Sequence, residues 1–194
     1  MNQKELNHEF FNMSSLYVAP DLIGWTFNVG STGGIIVETE AYTRSDPASH
    51  SFRGKTLSNS SMFGIPGSSY VYRSYGLHWC MNFVCADASA VLIRALHPLS
   101  DLPTMMQRRG TQNIKALCSG PGKLSQALNI NKMLDGQCLK DLPFFLVPRT
   151  QTPPIETGRR IGITKAAEYL WRFKLADTAF VGEINLSKTP LLDK

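Results

Sequence analysis

The apolar run Gly34-Ile35-Ile36-Val37 leads directly into Glu38-Thr39-Glu40-Ala41-Tyr42, and His50 follows eight residues after Tyr42. A strand turns successive side chains to opposite faces, so over 34–42 Glu38, Glu40 and Tyr42 fall on one side. Residues 25–29 read as the strand before it, across a turn containing Gly30 and Gly33. Residues 70–75 alternate, Gly76 gives a reversal, and 77–85 return as an apolar strand, so this stretch reads as a hairpin with a bulky aromatic near its tip. Residues 91–96 and 144–147 are two more strands.

Helical patterns lie between them. Residues 4–12 present Leu6, Phe10 and Phe11 to a core. Pro20-Asp21 reads as a second helix start, leading into Leu22 and Ile23 and stopped by Gly24. Pro103 fits the first turn of a helix that Ser100 or Asp101 caps and that runs to about Arg109. Residues 123–128 follow Pro121-Gly122 as another helix. Thr164 is placed to cap a helix over 165–173 that buries Ala167, Leu170 and Trp171. Residues 43–61 are polar and turn-rich, a long loop of the kind that carries function, and the segment after Pro148 reads as a proline-bearing loop. Short strands mixed irregularly with helices, without βαβ alternation, predict an α+β fold. At 194 residues one domain is expected over 1–194.

Charge adds a candidate partner. The formal net charge is +5, and its excess sits mid-chain. From Pro47 to Leu134 the only acids are Asp87 and Asp101, against Arg53, Lys55, Arg73, Arg94, Arg108, Arg109, Lys115, Lys123 and Lys132. Such a surface favours phosphate contacts, although scattered solvated side chains give the same count. Cys80, Cys85, Cys118 and Cys138 make no C-x-x-C pair and have no His at zinc spacing, so no metal or cofactor is expected. No apolar run approaches a membrane span and no leader pattern opens the chain. The expectation is an intracellular protein with reduced thiols, cytoplasmic or nucleoid-associated.

Three features carry candidate chemistry. A carboxylate at the end of an apolar strand, beside aromatic rings, fits a general base for a flat substrate. Arg94 lies inside an apolar strand and must be paired, with Glu40 as natural partner; the pair is either a structural ion pair or a device that orients a water. Tyr75, just before Gly76, fits a wedge between stacked bases, one option among several that include a protein contact. Ser119-Gly120-Pro121-Gly122-Lys123 lacks the spacing of a phosphate loop, which argues against a nucleoside triphosphate.

The blocks VETEAY, His50-Ser51, NSSMFGIPGSSYVYRSYGLHWCMNF, LIRAL, CSGPGKLSQALNIN and RRIGI, in this order, resemble the alkyladenine (3-methyladenine) DNA glycosylase family from about residue 19 to 182. The resemblance implies a single compact domain with a curved antiparallel sheet, surrounding helices and a protruding hairpin. It implies a monofunctional glycosylase of base excision repair, hydrolysing the N-glycosidic bond of alkylated or deaminated purines in duplex DNA. Glu40 would be the general base, acting on a water held also by Arg94 and the backbone carbonyl of Ile161. Tyr42 and His50 would stack on the two faces of the flipped base, with Tyr72 at the pocket edge and Asn82 at its floor. Tyr75 would fill the gap in the duplex. A monomer is expected, since a large protein interface would compete with DNA for surface. The rival readings are a catalytically silent, lesion-sensing DNA-binding module and an enzyme acting on free nucleosides. The segment from Tyr42 to His50 is about one residue shorter, and less acidic, than the family pattern.

Overall fold

The computed structural model describes residues 8–176, in which five α-helices surround a curled antiparallel sheet of eight strands. In chain order these are α1 (His8–Phe11), α2 (Ser15–Asp21), β1 (Thr26–Val29), β2 (Thr32–Tyr42), β3 (Ser69–Ser74), β4 (His78–Val84) and β5 (Ala90–Ser100). There follow α3 (Leu102–Arg109), α4 (Ile114–Leu117), α5 (Pro121–Ala127), β6 (Phe144–Val147), β7 (Ile155–Gly158) and β8 (Arg172–Leu175). The α+β class and curved antiparallel sheet agree with the sequence reading.

The sheet runs β3-β4-β5-β2-β1-β6, and β8 joins β2 while β7 pairs with β8. β2 changes partner along its length. Its first half pairs with β1 from Thr32 to Ile35, and its second half pairs with β8 from Glu38 to Glu40. The whole strand lies against β5, with register shifts around Ile36, Glu38 and Thr39. Such bulges re-aim side chains locally. Gly34 permits this close pairing, because a Cβ there would lie 2.0 Å from the carbonyl oxygen of His97. Gly30, with φ of 58°, makes the β1–β2 turn, whereas Gly33 belongs to β2 and not to the turn.

The inner face of the sheet is apolar. Phe83 on β4 meets Phe11 and Phe27 edge to face at 6.0 and 5.1 Å, and Phe27 stacks on Phe144 at 6.3 Å. Aromatic pairs at these separations contribute about 0.5–1.5 kcal/mol beyond area burial. The α2 segment buries Val18 and Ala19 against β2, and the Thr39 hydroxyl donates to the Ala19 carbonyl at 2.8 Å. The β3–β4 hairpin closes through Tyr75 and Gly76, both at positive φ, with Leu77 N–H donating to the Ser74 carbonyl. The tip is exposed.

Several expectations need correction. Pro20 does not begin a helix but sits in the last turn of α2, which Ser14 caps; the Ser14 side chain was a stronger start signal than the proline. Residues 165–173 form no helix: they are turns that lead into β8, and Leu170 is exposed. Strand pairing with β2, together with the Ala41 N–H donating to the Trp171 carbonyl at 2.9 Å, overrides the local helical pattern. The segment after Pro148 contains β7, and α4 was not anticipated. Leu6 lies outside the described residues. Among the described residues no helix is long and apolar enough to cross a membrane. Cys80, Cys85 and Cys118 are buried free thiols and Cys138 is an exposed one.

Candidate active site

Glu40 stands near the end of β2 with no exposed surface. A buried carboxylate is tolerated only when its oxygens are satisfied. Here Oε1 accepts the Ile161 backbone N–H at 2.8 Å and lies 3.1 Å from Arg94 Nη1, while Oε2 accepts the Tyr42 hydroxyl at 2.8 Å. Two hydrogen bonds and one ion pair thus hold the buried carboxylate. Arg94 reaches over from β5, and its Nε lies 3.4 Å from Glu38 Oε1. Glu38 is paired in turn by Arg172 at 3.0 Å. Arg94 therefore bridges two carboxylates.

The three residues that bond to Glu40 form one wall of a cavity of about 490 Å³, and the carboxylate is buried behind them. His50, Tyr72, Tyr75 and Asn82 complete the predicted set around the same space. His50 comes from the long loop, which Asn59 ties down by donating to the carbonyls of His50 and Gly54. Its Nδ1 lies 2.8 Å from the Tyr70 hydroxyl, and its ring stands edge-on to Tyr72 at 4.4 Å. Desolvation lowers the pKa of His50, which favours the neutral imidazole. Burial, reinforced by neighbouring negative charge, pushes the hydroxyls of Tyr42, Tyr70 and Tyr72 up, so all three stay protonated. Asn82 is pinned by donating to the Tyr70 carbonyl at 3.0 Å. Tyr75 is 85% exposed at the hairpin tip, with its hydroxyl 3.4 Å from the Gly162 carbonyl.

The Ile161 N–H bond to Glu40 is a contact the sequence reading does not name, additional to the role expected of the Ile161 carbonyl. Among the described residues no three His, Cys, Asp or Glu side chains gather as a metal-ligand set.

A family profile described as methylpurine-DNA glycosylase (MPG) matches residues 9–179, most of the chain. The chain belongs to the methylpurine-DNA glycosylase family. Relatives agree over nearly their full length. A protein of Agrobacterium fabrum named "Putative 3-methyladenine DNA glycosylase" is 54% identical over 186 residues, covering 94% of this chain and 96% of its own. Proteins with the same name from Rhizobium meliloti and Rhodopseudomonas palustris are 54% and 55% identical, covering 89% and 92% of this chain and 94% and 88% of their own.

Sequence reasoning missed parts of this methylpurine-DNA glycosylase-family site. Arg160 and Asp46 form a fully buried ion pair between segments 114 positions apart, and Arg172 holds Glu38. RRIGI contained Arg160, but two adjacent arginines give no local sign of which one turns inward. The mid-chain cations divide. Arg108 and Arg109 tie α3 to the carbonyls of Ala127 and Leu117. Arg53, Arg73 and Lys132 line a second recess of about 890 Å³ that shares His50 and Tyr72 with the first.

Proposed function

We propose that this chain is a monofunctional DNA glycosylase of base excision repair, hydrolysing the N-glycosidic bond of alkylated or deaminated purines flipped out of duplex DNA. The observation that carries the reading is the seat of Glu40, two hydrogen bonds from Tyr42 and Ile161 and an ion pair with Arg94, directly behind an aromatic cavity. Family membership and the relatives' printed names supply the substrate class.

A base cannot be attacked inside the stack, so it is extruded at a cost of roughly a few kcal/mol, less for a damaged or mispaired base. Tyr75, held out on the hairpin tip, fills the space left behind. The extruded purine stacks between Tyr42 and His50, with Tyr72 at its edge and Asn82 at the floor. An electron-rich ring such as Tyr42 attracts a cationic alkylpurine. Glu40 takes a proton from a water that Arg94 and the Ile161 carbonyl orient. The water oxygen forms the new bond to the sugar C1′, and the C1′–N bond breaks with its electron pair leaving on the base. A cationic alkylpurine departs neutral, which makes it a good leaving group. No lysine occupies a motif position as a Schiff-base nucleophile, so the DNA strand stays intact. The protein works as a monomer, because the cavity and hairpin face that meets DNA leaves little room for a protein interface. DNA as substrate puts this work inside the cell, at the nucleoid.

The test is incubation with a methylated duplex, followed by chromatography of released bases and a denaturing gel of the strands. The reading predicts free methylpurine and an alkali-labile but uncut strand. Binding without release would instead identify a silent lesion sensor.

A further inference from the structure

Arg160 is 4% exposed and stands outside the cavity wall, yet it touches the end of β2, the loop that leads to His50 and the segment after Ile161. Its Nη1 donates to the Ala41 carbonyl at 2.9 Å and to Asp46 Oδ2. Its Nη2 donates to Asp46 Oδ1 at 3.1 Å and to the Ala166 carbonyl at 3.3 Å. The guanidinium carbon lies 4.6 Å from the centroid of the Tyr42 ring and 5.2 Å from that of Trp171.

Several of these contacts lead to site residues. Ala41 separates Glu40 from Tyr42 on β2. Asp46 lies four residues before His50, and it accepts the Ala48 N–H at 2.9 Å, which shapes the loop that delivers His50. Ile161, next in the chain, gives its N–H to Glu40. A structural ion pair would need only the Asp46 carboxylate. The contact with the Tyr42 ring and the bond to Ala41 use the planar fork of a guanidinium, which a lysine does not reproduce.

We propose that Arg160 is a positioning residue of the reaction: through Ala41, the face of Tyr42 and the adjoining Ile161 amide, it fixes the stacking ring and a Glu40 donor relative to each other. This rests on the glycosylase reading above. Arg160 does not touch the flipped base or the water in this scheme. It sets the distance between the platform that holds the base and the carboxylate that activates the nucleophile. Misplacement by about 1 Å at a reacting centre can slow a reaction roughly 10²-fold.

Single-turnover release of methylpurine from a methylated duplex, with enzyme in excess, separates this role from a structural one. A merely structural residue changes the fraction of active protein, seen as amplitude in an active-site titration, and leaves the rate constant alone. For Arg160→Lys the expected result is a rate constant lowered roughly 10- to 100-fold, with titrated amplitude and duplex affinity retained. Lysine keeps a charge for Asp46, so the fold has a partner for its buried carboxylate. Should this variant not fold, the double exchange Asp46→Asn, Arg160→Gln removes both buried charges together, and the same loss of rate constant is expected. A wild-type rate constant in a folded variant, whatever its amplitude, overturns the assignment of Arg160 alone. Failure of the wild type itself to release any base overturns the glycosylase reading, and this assignment falls with it.

Discussion

The Tyr42 hydroxyl donates to Glu40 Oε2 at 2.8 Å, two residues along the same strand. The ring that faces the cavity and the carboxylate behind it are one hydrogen-bonded unit. Burial, with the Glu40 charge beside it, raises the Tyr42 pKa, so the phenol remains a donor at all working pH. In the proposed reaction, base stacking and water activation are thereby built on a single β2 segment, whose alternation puts both groups on one face.

Tyr42→Phe isolates that bond, because the ring is kept and one donor is lost. Hydrogen bonds to charged groups contribute about 1.5–3 kcal/mol, so excision should fall about ten- to a hundredfold. Lesion binding should change little. Single-turnover rates and equilibrium binding to the same duplex check the two halves of this prediction; equal losses in both would mean that the hydroxyl acts in binding instead.

Arg94 stands between two carboxylates with its side chain 11% exposed. Removing one member of a buried ion pair costs about 3–5 kcal/mol, because the remaining charge is left uncompensated. Arg94→Met should destabilise the fold on that scale in urea unfolding, and adding Glu40→Gln should restore part of it. No destabilisation would mean that Arg172 alone suffices for Glu38 and that solvent reaches Glu40.

Tyr75 behaves oppositely. At 85% exposure its replacement by alanine should leave folding stability within about 0.5 kcal/mol of wild type. Stacking of an aromatic side chain on bases is worth about 1–3 kcal/mol, so binding to a lesion-bearing duplex should weaken by about five- to 150-fold. Fluorescence anisotropy measures it. Unchanged affinity would assign the tip to another contact.

Two histidines give the folded protein a pH dependence. Desolvation lowers the pKa of both His50 and His97 below the ordinary value of 6.5. Between the folded and unfolded values the unfolded chain binds more protons, so stability rises with pH across that window. It is fully present above about pH 6.5 and is lost as pH falls through the folded values. Melting temperatures recorded between about pH 7.5 and 5 should decline, and the pair His50→Gln, His97→Gln should flatten the decline. An unchanged slope in the double variant would assign it to other groups.

Much of this was legible in the residues. The alternation of 70–75, the Gly76 reversal and the apolar return define the hairpin almost to the residue, because strand period and turn chemistry are local. Glu40 and Arg94 were matched because each was a charge in an apolar strand, and burial demands a partner. The contacts that escaped notice are those whose partners lie far apart. Nothing around Arg160 shows that Asp46, 114 positions away, completes it. The same applies to β8. Residues 165–173 have a helical look on their own, and only the open edge of β2 beyond β1 makes a strand the better outcome. Pro20 is ambiguous for a local reason, since a proline in the last turn of a short helix gives the same sequence pattern as one at a helix start.

The most direct test of the account compares wild type with Glu40→Gln for release of free base from a methylated duplex and from one carrying a single hypoxanthine. Glutamine keeps the side chain's shape and an oxygen to accept hydrogen bonds, but it cannot take a proton from water. Wild type should release methylpurine, and Glu40→Gln should bind the lesion without release. Hypoxanthine release by wild type would show that neutral lesions are also accepted. Wild-type rates in Glu40→Gln would contradict the assignment of Glu40 as the base on which the mechanism stands.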